Sequence, residues 1–175
     1  MKKLISMILV LSLVFALAAC GGKDAASGSN GSAGSAAPEK PVEEIKSADL
    51  QAFYDSTFVG ENMPMMGVME KEALDAFYAG LSALNLKQCI VAMPMISAVP
   101  AEVALVEVAD AADLAKVEEI FKARIAYQID GGAFYPATVE AWEKSTEIIT
   151  HGNTMMMICM DPKDEVVKAF NELFA

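Results

Sequence analysis

The sequence predicts an α+β domain in which a small antiparallel sheet, built from two hairpins, carries helices packed on one face. Two observations lead to this prediction. Strand-like segments occur in two pairs, 88–96 with 102–108 and 147–150 with 154–160, and each pair is separated by a short turn. Amphipathic helical segments precede, separate and follow these pairs, and a disordered linker is expected before the first of them.

Five segments show apolar residues three and four positions apart, which is the spacing of a helix. Ser47 and Asp110 suit the N-cap position, Pro136 suits the first helical position, and Gly131-Gly132 ends the longest segment. Residues 60–67 are predicted to form a loop. The five helices are expected to begin near Ser47, Lys71, Asp110, Pro136 and Asp161.

The residues between the paired strands are typical of turns. Ser97-Ala98-Val99-Pro100 connects the first pair, and Gly152-Asn153 favours a tight hairpin in the second. Pro94 has no amide hydrogen to donate to a strand ladder. Its strand is therefore expected to lie at a sheet edge or to end there.

Residues 1–19 have the three parts of a signal peptide. Two lysines precede an apolar run that ends at Leu17 and is too short to span a bilayer comfortably. The following Leu17-Ala18-Ala19-Cys20-Gly21 resembles the lipobox of bacterial lipoproteins. This resemblance implies that Cys20 receives acyl chains, such as palmitate, which hold the protein at the cell membrane on its extracytoplasmic side. The alternative is a secreted protein in which Cys20 has no such role.

Residues 20–44 are interpreted as the lipidated cysteine and a flexible linker. From Gly21 to Ala37 the chain consists almost entirely of Gly, Ser and Ala and has no apolar pattern. Such a segment has too few groups to bury to offset the entropy lost on ordering. A single α+β domain is expected over residues 45–175.

The charge of the chain limits its partners. The 175 residues include 13 Lys and Arg against 24 Asp and Glu, for a net charge of −11. Removal of residues 1–19 takes away two of these lysines and no acidic residue, so the remaining chain is more negative. Nucleic acid is excluded as a partner, because its binding needs clustered basic residues. A charged partner is expected to be basic.

Sulfur-containing residues suggest one possible chemistry. Methionines beyond the signal peptide fall into three clusters, and strand alternation places several of them on the same side as the two remaining cysteines. Thioether and thiolate ligands select Cu(I), but methionine and buried free cysteine also fill apolar cores. Cys89 and Cys159 are either two buried thiols or one disulfide. The residues that would make the metal site are Met93, Met95, Met155, Met157, Cys89 and Cys159.

A group of aromatic residues suggests a binding platform for a sugar ring or a peptide. Phe134, Tyr135 and Trp142 follow the glycine pair. The alternative is that Trp142 anchors a short helix in the core. Exposure of these three rings distinguishes the two interpretations.

Two common motifs of nucleophilic catalysis are absent from the sequence. Neither G-x-S-x-G nor S-x-x-K occurs, and His151 is the single histidine. Glu140 and Glu143 have helical spacing and are most simply part of a solvated face. The protein is therefore not expected to be an enzyme, and no cofactor is implied.

Several motifs along the chain form a recognisable set: Met93-Pro94-Met95, the segment Ala101 to Val108, the helix Ala112 to Gln128, Tyr135-Pro136, Gly152-Asn153 and the closing helix. Together they resemble the bacterial lipoprotein family catalogued as domain of unknown function 4358. The similarity extends over about residues 60–174 and implies an exported lipoprotein of unassigned role, with no catalytic residues to transfer. Thr154 and three methionines follow the Gly152-Asn153 turn at a point where family members often have an aromatic or aliphatic residue.

The sequence thus predicts a membrane-anchored extracytoplasmic lipoprotein that acts as a non-catalytic binding or interaction module at the cell envelope. Its expected partners are the lipid bilayer, through Cys20, and an envelope protein or small ligand. Two alternatives stay open: handling of Cu(I) or another soft metal, and an envelope hydrolase with an unrecognised motif.

Overall fold

Five antiparallel strands and five helices make up residues 46–175, the part of the chain that the structure, a computed structural model, describes. The predicted signal peptide, Cys20 and the linker 20–44 lie outside the described residues. Within 46–175, no helix combines the length and apolar character needed to cross a membrane. The helices are α1 (Leu50–Phe58), α2 (Lys71–Phe77), α3 (Leu114–Tyr127), α4 (Pro136–Lys144) and α5 (Lys163–Glu172). The strands are β1 (Met66–Val68), β2 (Leu86–Pro94), β3 (Glu102–Val108), β4 (Thr146–His151) and β5 (Thr154–Cys159).

The strand order is β1-β2-β3-β5-β4, and every neighbouring pair is antiparallel. The two predicted hairpins, β2 with β3 and β4 with β5, are confirmed, and pairing of β3 with β5 joins them. Pro94 was expected to lie in an edge strand or to end its strand, and it is the last residue of β2. The α+β class is also confirmed.

The predicted loop 60–67 contains the start of β1, a strand that the sequence did not predict. The loop prediction is therefore wrong for residues 66 and 67. Met66 pairs with Pro94 and Gly67 with Met93, which places β1 at the edge beside the end of β2. A strand of three residues is too short for its alternation to stand out in the sequence.

Helices cover both faces of the sheet, so the prediction of helices on one face is wrong. Successive β3 residues alternate between two cores: Val103 and Leu105 pack with α1 and α5, whereas Ala104 and Val106 pack with α2, α3 and α4. All residues of β3 and β5 are buried. A nearly continuous apolar run, rather than alternation with polar residues, is the sequence signal of a strand covered on both sides.

Helix starts differ from the prediction at α1, α3 and α5. Asp49 rather than Ser47 caps α1, because its Oδ1 accepts a hydrogen bond from the Ala52 amide at 2.9 Å. Asp110 does act as a cap, but of a 3-10 turn over 111–113 that precedes α3. Helix α5 begins at Lys163, and Pro162 rather than Asp161 is at its N-cap, without a side-chain cap hydrogen bond.

Ser47 instead joins a partly buried group of polar side chains around Glu107, which fixes the beginning of the domain to the sheet. Its hydroxyl donates to Glu107 at 3.0 Å, and Gln88 Nε2 donates to the same carboxylate at 2.6 Å. Gln88 Oε1 accepts from the Leu50 amide at 3.0 Å. Burial of Glu107 opposes its ionisation, but the hydrogen bonds from Gln88, Ser47 and Lys87 and the Lys87 charge outweigh this and lower its pKa.

Candidate functional site: an aromatic cleft above a buried ion pair

A cavity of about 450 Å³ opens where β2 ends and β3 begins. One wall is the end of β2, and the opposite wall is the segment that joins α3 to α4. Helices α2 and α4 close the remaining sides. We call this cavity the aromatic cleft; its principal lining residues are Phe77, Met93, Met95, Glu102, Arg124, Tyr127, Phe134, Thr138 and Trp142.

An ion pair between Glu102 and Arg124 lies at the floor of the aromatic cleft. Arg124 Nε donates to Oε1 and Nη2 donates to Oε2, both at 2.8 Å, and each side chain is 2 % exposed. Tyr78 donates its phenolic hydrogen to the same carboxylate. The two charges neutralise each other, and this bidentate geometry is the strongest form of the arginine–carboxylate contact.

Four aromatic rings surround the Arg124 guanidinium. Its central carbon lies 5.4 to 5.8 Å from the ring centroids, within the range of cation–π attraction. Burial alone would lower the pKa of Arg124, but its hydrogen bonds to Glu102 and the Glu102 charge raise it above the usual value. The guanidinium is therefore a fixed cation. The four rings belong to Phe77, Tyr78, Tyr127 and Trp142.

The rim of the aromatic cleft is apolar and exposed. Phe134 is 84 % exposed, Met95 66 % and Tyr127 64 %, and Phe77 is also exposed. Isolated apolar side chains on a surface need no explanation, but several around one cavity mark an interaction site. We call Phe77, Met95, Tyr127 and Phe134 the apolar rim.

Two glycines shape the segment that carries Tyr127 and Phe134. After α3 the chain makes a π-type turn over Gln128–Gly132, in which Gly131 has φ 128°, a conformation that L side chains rarely adopt. A Cβ added to Gly132 would lie 2.5 Å from Cε1 of Tyr127. The missing side chain thus leaves room for the Tyr127 ring. The Ala133 amide donates to the Gln128 carbonyl at 2.9 Å, a 6→1 bond of the kind that ends a helix at a glycine.

Thr138 lines the aromatic cleft, but its hydroxyl oxygen is buried. Oγ1 has no hydrogen-bond partner among the described residues and almost no solvent-accessible surface. A buried polar atom without a partner is costly, so this hydroxyl bears on the stability of the domain.

The predicted aromatic group is divided by the structure. Phe134 and Tyr135 are exposed and form an edge-to-face pair with centroids 5.5 Å apart, whereas Trp142 is 3 % exposed and packs in the core. Trp142 nevertheless contributes to the cleft floor.

The sequence did not indicate five of the principal cleft residues. The signals were weak: Arg124 falls on the buried side of α3 beside Phe121, and Glu102 begins a strand in which Glu107 is the other polar residue. A buried charge in an apolar pattern indicates a partner but does not name it. The missed residues are Phe77, Glu102, Arg124, Tyr127 and Thr138.

The predicted sulfur ligands lie at two places. Cys89, Met155, Met157 and Cys159 belong to the core that packs against α2, α3 and α4, whereas Met93 and Met95 line the aromatic cleft. Cys89 pairs with Val106, and Val106 pairs with Met155, so about two strand spacings, or ~10 Å, separate the Cα atoms of Cys89 and Met155. Met95 belongs to the exposed rim. Among residues 46–175, no group of three His, Cys, Asp or Glu side chains is arranged to hold a metal ion.

Cys89 and Cys159 are both free thiols. Their strands, β2 and β5, are separated by β3. Cys89 is aligned with Val106 and, through it, with Met155, and Cys159 lies four residues beyond Met155 along β5. This separation exceeds the distance of about 4.4 to 6.8 Å between Cα atoms that a disulfide needs. Burial raises the pKa of each thiol to about 11.

The remaining titratable candidates have structural contacts. His151 Nε2 lies 2.7 Å from Asn171 Oδ1, and its ring stacks on Phe174 with centroids 4.8 Å apart. Lys144 donates to Glu140 on the exposed side of α4 at 2.7 Å. Glu143 is also exposed, in agreement with the predicted solvated face.

The family comparison identifies the fold unit that contains the cleft. The family model described as Domain of unknown function (DUF4358) matches residues 59–160, more than half of the chain. The chain belongs to this family. The matched DUF4358 region contains both walls and the floor of the aromatic cleft and ends before α5. No curated protein and no solved structure matches the chain.

Proposed function

We propose that this DUF4358 protein is a membrane-anchored extracytoplasmic lipoprotein whose folded domain is a non-catalytic binding module, with the aromatic cleft as its ligand site. The observation that carries the proposal is the apolar rim. It exposes Phe134, Met95, Tyr127 and Phe77 around a cavity whose floor is already electrically neutral. Pockets of this kind, apolar with a few fixed polar groups, are typical ligand sites.

The polar groups at the floor support binding rather than catalysis. A general acid or base needs a proton that it can exchange with a substrate. Glu102 instead accepts hydrogen bonds from Arg124 and Tyr78. Burial and the Glu102 charge raise the pKa of Tyr78 well above its usual value, so the phenol stays protonated.

The anchor rests on the sequence around Cys20. The lipobox-like Leu17-Ala18-Ala19-Cys20-Gly21 follows a signal-like segment, and a linker rich in Gly and Ser separates it from the domain. An anchored domain meets its ligand at the membrane surface, where the linker gives it reach.

Palmitate labelling tests the anchor. Cells that express the wild-type chain or the Cys20→Ala variant are grown with radioactive palmitate and fractionated. We expect label and membrane recovery for the wild type and neither for the variant. An unlabelled wild-type chain, or recovery of both chains in the soluble fraction, contradicts the anchor.

Photocrosslinking from the rim tests the binding site. p-Benzoylphenylalanine replaces Phe134 in one variant and Val59 in a second, because Val59 is an exposed apolar residue outside the cleft lining. On intact cells, we expect a discrete adduct from position 134 and none from position 59. Equal adducts from both positions, or none from position 134, contradict the proposed site.

A further inference from the structure

We propose that the aromatic cleft binds a polypeptide segment that inserts an apolar side chain and carries basic residues beside it. This inference rests on the proposed function, since it names the ligand class of the same site. Three observations support it: the residue types of the lining, the charge around the cleft, and the guanidinium nitrogen that Glu102 leaves unused.

The lining has the composition of a protein interface core. Such cores are enriched in aromatic residues, methionine and arginine and depleted of lysine and carboxylates. The aromatic cleft presents aromatic and thioether side chains, and its two charged lining residues are paired with each other. Methionine side chains such as Met95 adapt their shape to different apolar partners. Gly67 makes room for this adaptation, because Met95 Sδ lies 3.0 Å from the position that a Gly67 Cβ would occupy.

The charge around the cleft favours a basic segment. The chain has a net charge of −11. Asp130 lies in the turn between Tyr127 and Phe134, is exposed, and forms no ion pair with any described residue. A lysine or arginine beside the inserted side chain would therefore meet an unpaired carboxylate and an attractive field.

The guanidinium at the floor fits a peptide backbone. The two Arg124 bonds to Glu102 use Nε and Nη2, so Nη1 is not engaged with the carboxylate. A main-chain carbonyl group of a peptide accepts a hydrogen bond from a guanidinium N–H of this kind. A hydrocarbon chain supplies no acceptor, and an anionic lipid or wall polymer is repelled by the negative domain.

Selection of random peptides tests this ligand class. A phage-displayed dodecapeptide library is selected on the full-length chain held in detergent micelles, with the Met95→Ser chain as the control. Met95 is exposed, so its replacement leaves both cores intact. Enriched peptides are synthesised and titrated against both chains by fluorescence anisotropy.

We expect enriched peptides to share an aromatic or large aliphatic residue next to lysine or arginine. Their affinity for the Met95→Ser chain is expected to fall about ten-fold, because a core residue of an interface is lost. Replacing their basic residues with glutamate is expected to abolish binding. Enrichment of acidic or wholly polar peptides, or equal affinity for both chains, overturns the proposal.

The crosslinked adduct from position 134 separates this inference from the proposed function. Protease digestion that reduces the adduct to a short peptide remnant supports a polypeptide ligand. A protease-resistant adduct that a glycosidase or lipase removes leaves the proposed site intact but overturns the peptide inference. Absence of any adduct contradicts the proposed function itself.

Discussion

Arg124 and Glu102 form two parallel hydrogen bonds of 2.8 Å across the boundary between α3 and β3, with both side chains almost fully buried. The pair connects a helix to the central part of the sheet and supports the aromatic residues above it. Its removal therefore affects both the stability of the domain and the shape of the cleft.

Breaking this pair on one side is expected to destabilise the domain strongly. Glu102→Gln leaves a buried guanidinium without its counter-charge, and we expect the free energy of unfolding to fall by about 3 to 5 kcal/mol. The double variant Glu102→Gln/Arg124→Met is expected to lose less than the sum of its single variants. Urea denaturation of the four chains measures this coupling; additive losses contradict it. Glu118→Gln, which breaks the exposed pair with Lys122, is the control and should have little effect.

Glu107 is expected to make stability depend on pH. Its pKa is lowered in the folded chain, so its contribution is complete above the unfolded carboxyl pKa of about 4.3 and is lost as the pH falls through the lower folded value. At pH 7, we expect Glu107→Gln to reduce the free energy of unfolding by about 2 kcal/mol. The difference between the two chains should shrink below about pH 4. A difference that stays constant into strong acid contradicts this assignment.

Thr138 separates stability from binding. Thr138→Val removes an unsatisfied buried hydroxyl while keeping the side-chain shape, so we expect the free energy of unfolding to stay within about 1 kcal/mol of wild type or to rise. Affinity for a selected peptide is expected to stay unchanged, because the buried Oγ1 has almost no surface that a ligand in the cleft could contact. Thermal unfolding and peptide titration of the same preparation measure both effects. A large loss of stability shows that the hydroxyl has a partner in the folded protein.

Glycine replacements test the turn that carries the rim. Gly131→Ala imposes a side chain at φ 128° and is expected to cost about 1 to 2 kcal/mol. Gly132→Ala is expected to displace the Tyr127 ring and to change the fluorescence of Trp142, which is the single tryptophan and lies near the same guanidinium. Gly60→Ala is the matched control, because nothing lies within 4 Å of its added Cβ. If all three variants behave alike, the turn has no special role.

Alkylation of the unfolded chain counts the thiols. Burial holds the pKa of Cys89 and Cys159 at about 11, so we expect slow reaction with iodoacetamide in the folded state. In urea without reductant, both should react. The sulfur of a lipidated Cys20 is a thioether and cannot react. Mass spectrometry should therefore find two modified cysteines; three would indicate an unmodified Cys20, and none would indicate a disulfide.

Much of the fold could be predicted from local patterns. The hairpin turns at Ser97–Pro100 and Gly152–Asn153 have distinctive residues, and helix α3 has a long apolar stripe. The face of the sheet that each helix covers could not be predicted from the helix itself. Helices α1 and α5 have an apolar side whichever face they pack against. The continuous apolar runs of β3 and β5 carried the necessary information.

The candidate site was harder to predict, because its parts are far apart in the sequence. Phe134 lies in a loop with an obvious aromatic pair, so the sequence indicated it. Phe77 and Met95 come from elements separated by many residues, and their contribution depends on strand order and helix placement. The Glu102–Arg124 pair depends on a contact across 22 positions, which no local pattern specifies.

The most direct measurement of the central claim compares two exposed apolar positions in one binding assay. A peptide enriched on the full-length chain is titrated against the wild type, Phe134→Ser and Val59→Ser. Because Phe134 belongs to the apolar rim and Val59 does not, we expect about a ten-fold loss of affinity for Phe134→Ser and almost none for Val59→Ser. Equal affinities for all three chains, or a larger loss at Val59, would contradict the claim that the aromatic cleft is the binding site.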